Sequence, residues 1–104
     1  MKEILTMHME PYTASPIGWR IHWELRPEVI DVKTLGYVYL DPLPFRRAID
    51  RIKKRFPKRN FGTDSGEKYF FVDQGVTPAQ MTHINKTIQK AYWQWVRSEM
   101  FAAR

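Results

Sequence analysis

The chain has 104 residues, no cysteine, 43% hydrophobic residues and 17 Lys or Arg against 11 Asp or Glu, for a formal charge of +6. That length builds one domain around one core, spanning residues 1–104, and leaves no room for a second. The absence of cysteine excludes disulfide frameworks, thiol nucleophiles and cysteine metal sites; no apolar run reaches the length of a membrane span and Lys2 to Met7 lack the apolar stretch of a secretory signal, so a cytoplasmic protein without a membrane partner is expected.

From Ile4 to Glu10, Leu5, Met7 and Met9 alternate with Thr6, His8 and Glu10, the period of a half-buried strand. Pro11, Ser15, Pro16 and Gly18 supply a loop. Trp19, Ile21, Trp23 and Leu25 then alternate with Arg20, His22, Glu24 and Arg26, which predicts a second strand ended by Pro27. An antiparallel pairing with Met9 opposite Ile21, Met7 opposite Trp23 and Leu5 opposite Leu25 makes the two apolar faces coincide. Leu35 to Leu40, rich in Tyr and Val, reads as a third strand.

Asp41 followed by Pro42 has the form of an N-cap with Pro in the first turn. Phe45, Ile49, Ile52 and Phe56 recur at helical spacing before Pro57 stops the helix. Lys58 to Lys68 reads as a polar loop, and Tyr69 to Val72 as a fourth strand. Thr77, Pro78, Ala79, Gln80 has the capping-box form and opens a long helix with Met81, Ile84, Ile88 and Trp95 on its inner side. The expected fold is α+β: a largely antiparallel four-stranded sheet, order β-β-β-α-β-α, with two helices packed on one face. This order also opens sheets of the ribonuclease H type, a likeness of topology and not of sequence, in which the fourth strand would run parallel to the first after a right-handed crossover.

The charge is concentrated. Arg46, Arg47, Arg51, Lys53, Lys54, Arg55, Lys58 and Arg59 are accompanied only by Asp50, so this segment carries +7 and the rest of the chain sums to −1. The apolar stripe of the first helix turns inward and forces these cations outward, where one acid is too few to neutralise them. On the sheet, alternation sends Arg20, His22, Arg26, Tyr37, Tyr39, Tyr69 and Phe71 to the face away from the helices, a mixture of rings and cations suited to stacking on unpaired bases, to cross-strand packing or to a sheet-mediated homodimer. Trp93 shares a line with Lys86, Lys90 and Arg97 outside the main core, as a stacking or interface residue.

Signals for catalysis are weak. His8 and His22 fall on one face of the hairpin without a spaced third ligand, so no metal site is assigned; His83 has no partner motif, and no phosphate loop or nucleophile motif occurs. A metal-dependent nuclease would need Asp50, Asp73 and Glu10 to converge. The expected function is that of a small non-enzymatic nucleic-acid-binding protein without cofactor, the eight basic residues of its Arg46 to Arg59 segment holding about five to seven phosphates with a log-log salt slope of about −4.5 to −6.5 on a duplex. The alternative is an inhibitor or adaptor that docks the same surface on an acidic protein.

Overall fold

In a computed structural model, residues 3–13, 18–26, 42–63 and 69–102 are described. The elements are β1 (Leu5–Tyr12), β2 (Gly18–Leu25), α1 (Pro42–Arg55), β3 (Phe61–Thr63), β4 (Phe70–Asp73) and α2 (Pro78–Ala102). The fold is α+β, with a four-stranded antiparallel sheet in the order β1-β2-β4-β3.

The hairpin has the register that coincidence of apolar faces demands: Met9 pairs with Ile21, Met7 with Trp23 and Leu5 with Leu25. Leu5, Ile21 and Trp23 are buried under the helices, whereas Met9, nearer the hairpin turn, is 37% exposed. Gly18 opens β2 opposite Asp73, and a Cβ there would collide with the Val72 carbonyl oxygen; only glycine lets the two backbones approach this closely.

Two expectations change. Lys58 to Lys68 is not all loop, because Phe61–Thr63 forms β3 against β4. Phe61 stacks on Phe70 with ring centroids 5.4 Å apart, the Asn60 amide donates to Asp73 Oδ2 at 2.6 Å, and the Asp73 amide returns a bond to the Asn60 carbonyl at 3.1 Å. The likeness to the ribonuclease H order holds for the direction of β4, which runs the same way as β1, and fails for its place, because β4 lies beside β2 and not next to β1. The predicted third strand, Leu35 to Leu40, and the Asp41 cap lie outside the described residues.

One core forms between the sheet and the helices, from Ile21, Trp23, Phe70 and Val72 below, Phe45, Ala48, Ile49 and Ile52 of α1, and Met81, Ile84, Ile88, Tyr92 and Val96 of α2. Val96 takes the fully buried place expected of Trp95, which is half-buried and meets Tyr92 edge to face at 5.9 Å.

A buried polar residue, Gln89, fastens α2 to the start of β1. Its Oε1 accepts from the Ile4 and Leu5 amides at 3.0 and 2.9 Å, and its Nε2 donates to the Leu5 carbonyl at 2.8 Å. Asn85, one turn earlier, accepts from the Trp23 indole at 3.0 Å and donates to Glu3 at 2.9 Å. The Gln89 bonds satisfy backbone groups that the outer side of an edge strand would otherwise bury unpaired.

The capping box that opens α2 is formed. The Thr77 amide donates to Gln80 Oε1 at 2.9 Å, and the Gln80 amide donates to Thr77 Oγ1 at 3.1 Å. Thr77→Ala leaves the Gln80 amide without its acceptor and is expected to cost about 1 kcal/mol in a denaturant melt; an unchanged midpoint would mean that solvent replaces the cap fully.

Candidate functional site

Helix α1 is divided by its sequence into two sides. Phe45, Ala48, Ile49 and Ile52 are buried, and Arg46, Arg47, Asp50, Arg51, Lys53, Lys54 and Arg55 are exposed, with Lys58 exposed in the turn beyond. Spacings of four and three align Arg47, Arg51 and Lys54 along the ridge opposite the core. Lys53, Lys54 and Arg55 occupy the last turn, where the negative end of the helix dipole favours them.

Arg59 departs from the expected set. Its guanidinium donates to Asp73 Oδ1 at 2.9 Å, the same oxygen that accepts from the Gly75 amide at 2.9 Å, so it closes the turn after β4 instead of facing an outside anion. Among the described residues, no carboxylate lies within ion-pair distance of Arg47, Arg51, Lys53, Lys54, Arg55 or Lys58, and Asp50 pairs with none of them. Six exposed cations of α1 and the turn after it are therefore left without an ion pair to a described residue.

The opposite face of the sheet carries the expected mixture of rings and cations, but these groups are engaged with one another. Arg20 is held by Glu10, with Nε donating at 2.6 Å, and lies over the Tyr69 ring at 4.8 Å from its centroid. Phe71 packs on Tyr12 at 4.9 Å, and Tyr69 meets His22 edge to face at 5.4 Å. Because the helices cover the inner face, Tyr69 and Phe71 lie across the sheet from the α1 cations, and one short ligand does not touch both sets. Tyr37 and Tyr39 lie outside the described residues.

On the same face, His8 and His22 are direct cross-strand partners with rings stacked at 4.7 Å. Sequence reading missed Glu24, whose carboxylate oxygens lie 3.3 Å from His8 Nε2 and 3.6 Å from His22 Nε2. The signal was present in the pattern: His22 and Glu24 are two apart on one strand and share a face.

Trp93 is half-buried beside the core, with the Arg97 guanidinium 5.8 Å from its ring centroid. Lys86, Lys90, Trp93 and Arg97 line an open groove of about 640 Å³, together with Met7 of β1 and Met81 of α2. No described residue of α1 lines it.

Asp50, Asp73 and Glu10 do not converge. Among the described residues the sole grouping of three metal-ligating side chains is His8, His22 and Glu24, while Asp73 is committed to Arg59 and Glu10 to Arg20. No described helix is long and apolar enough to cross a membrane. No protein-family model, curated protein or solved structure matches the chain.

Proposed function

We propose that the chain is a small non-enzymatic nucleic-acid-binding protein of the cytoplasm that grips the phosphate backbone with α1. The observation that carries this is the set of six exposed cations, Arg47, Arg51, Lys53, Lys54, Arg55 and Lys58, none of which forms an ion pair with a described carboxylate. From Arg47 to Arg55 the helical rise covers about 12 Å, along which a duplex presents roughly seven phosphates, so the ligand's charge density is not limiting.

Stacking contributes less than the sequence suggests, because Tyr69 and Phe71 sit across the sheet and pack on their neighbours. Backbone contacts of this kind position a protein on nucleic acid without reading bases. Duplex DNA of different sequences should therefore bind with similar affinity.

With Arg59 withdrawn into its pair with Asp73, four to six phosphate contacts remain, and the log of the binding constant should fall with log salt at a slope of about −3.5 to −5.5. Fluorescence anisotropy with a labelled duplex across a salt series measures it. A slope near zero, or no binding at low salt, rejects the proposal and leaves an acidic protein as the partner to seek by capture from nuclease-treated lysate.

A further inference from the structure

The geometry points to a transition-metal site on the outer face of the hairpin, in which His8, His22 and Glu24 hold one Zn²⁺. It rests on a different surface from the α1 cations and stands or falls independently of them.

Antiparallel register sets His8 directly opposite His22, and period-two alternation sets Glu24 next to His22 on the same face. The three residues thus arrive from two hydrogen-bonded strands, a rigid platform on which no loop needs to order. Their ligating atoms all lie within 4.8 Å of one another. Zinc bonds of about 2.0 to 2.2 Å in a tetrahedron place neighbouring donors about 3.3 Å apart. Each histidine Nε2 is near that spacing from one Glu24 oxygen, His8 at 3.3 Å from Oε2 and His22 at 3.6 Å from Oε1, and a turn of the exposed carboxylate lets one oxygen serve both.

The histidine rings supply the remaining adjustment. They are stacked with only 15° between their planes, and two parallel rings do not aim their Nε2 lone pairs at one point. His8, whose side chain is 44% exposed, has room to tilt towards His22. Two imidazoles and one carboxylate form a donor set that suits Zn²⁺, Cu²⁺ or Ni²⁺ and is poor for Mg²⁺ or Ca²⁺, which take oxygen ligands. The fourth position would be left to water.

Affinity is limited by the second nitrogen of His22. Its Nδ1 is buried with no hydrogen-bond partner among the described residues. Metal at Nε2 moves the imidazole proton to Nδ1, where it meets no acceptor, whereas a ligating histidine usually donates that N–H to a carbonyl or carboxylate. A dissociation constant on the order of 10 µM is therefore expected instead of the tight binding of fully supported sites.

The test is calorimetric titration of ZnCl₂ into the untagged full chain, with Co²⁺ absorption as a second readout of coordination. One Zn²⁺ per chain should bind, with affinity roughly tenfold or more lower in His8→Ala and in Glu24→Gln, and unchanged in His83→Ala, the histidine on α2. His8 and Glu24 are exposed, so the metal-free variants should stay folded, with the melt lowered by no more than the few degrees that a cross-strand pair contributes. Millimolar Mg²⁺ should not compete. Absence of Zn²⁺ uptake, uptake unaffected in both His8→Ala and Glu24→Gln, equal loss in His83→Ala, or displacement by Mg²⁺ would each overturn the assignment.

Discussion

Replacing Gln89 by Leu is expected to lower the unfolding free energy by about 3 kcal/mol, a drop in melting temperature on the order of 15 °C for a domain of this size. Leucine fills most of the volume, so cavity formation is a minor cost. The loss comes from three backbone groups, the amides of Ile4 and Leu5 and the Leu5 carbonyl, which Gln89 satisfies together. Each buried group left without a partner costs about 1 to 3 kcal/mol. Gln89→Glu separates the contributions: a carboxylate still accepts from both amides but faces the Leu5 carbonyl and Glu3 with no N–H to donate, so it should also destabilise the fold near neutral pH. Hydrogen exchange provides the local check. Fast exchange of the Ile4 and Leu5 amides in Gln89→Leu, with Ile21 and Phe70 still protected, identifies a detached β1; a melt that does not move would show that water serves these groups equally well.

The second large effect concerns binding. Changing Arg47, Arg51, Lys53 and Lys54 together to Gln removes four of the six exposed cations of α1 and the turn after it. The counterion-release slope should fall in magnitude by about 3.6, which corresponds to roughly a thousandfold weaker duplex binding at physiological salt. Stability should change little. All four side chains are exposed, and the loss of dipole-favoured charge at Lys53 and Lys54 is offset by relief of like-charge repulsion between Arg47 and Arg51, one turn apart. Arg47→Lys with Arg51→Lys keeps the charge and should keep the slope. If the quadruple variant binds as tightly as the parent with the same slope, the phosphates are held elsewhere, and the groove lined by Lys86, Lys90 and Arg97 becomes the surface to test.

The hairpin was readable in full because its two strands alternate without interruption and only one register brings Leu5, Met7 and Met9 over Leu25, Trp23 and Ile21. The capping box was equally readable, since Thr77 and Gln80 carry their partners within three residues. Strand β3 was not: Phe61–Thr63 contains one large apolar side chain, too few for a period, and what fixes it is the Asn60–Asp73 pairing across 13 residues. Gln89 was hidden for a related reason. Helical spacing shows that position 89 borders the inner side of α2 but cannot show that the amides it meets belong to Ile4 and Leu5. Charge legibility had its own limit. Composition counted eight cations in the basic segment, and only the fold revealed that Arg59 turns back to Asp73.

The bonds from Gln89 to Ile4 and Leu5 join positions 84 and 85 residues apart. During synthesis, the hairpin residues up to Leu25 are made well before their fastener. At roughly 5 to 20 residues per second, the ribosome needs about 3 to 13 s to extend the chain from Leu25 to Gln89. Throughout that interval α2 is missing from the core above Leu5, Ile21 and Trp23, and the outer edge of β1 has no side chain to occupy it. Assembly of the first strand is thus a post-emergence event, and the nascent hairpin is the stage at which a chaperone would have most to shield.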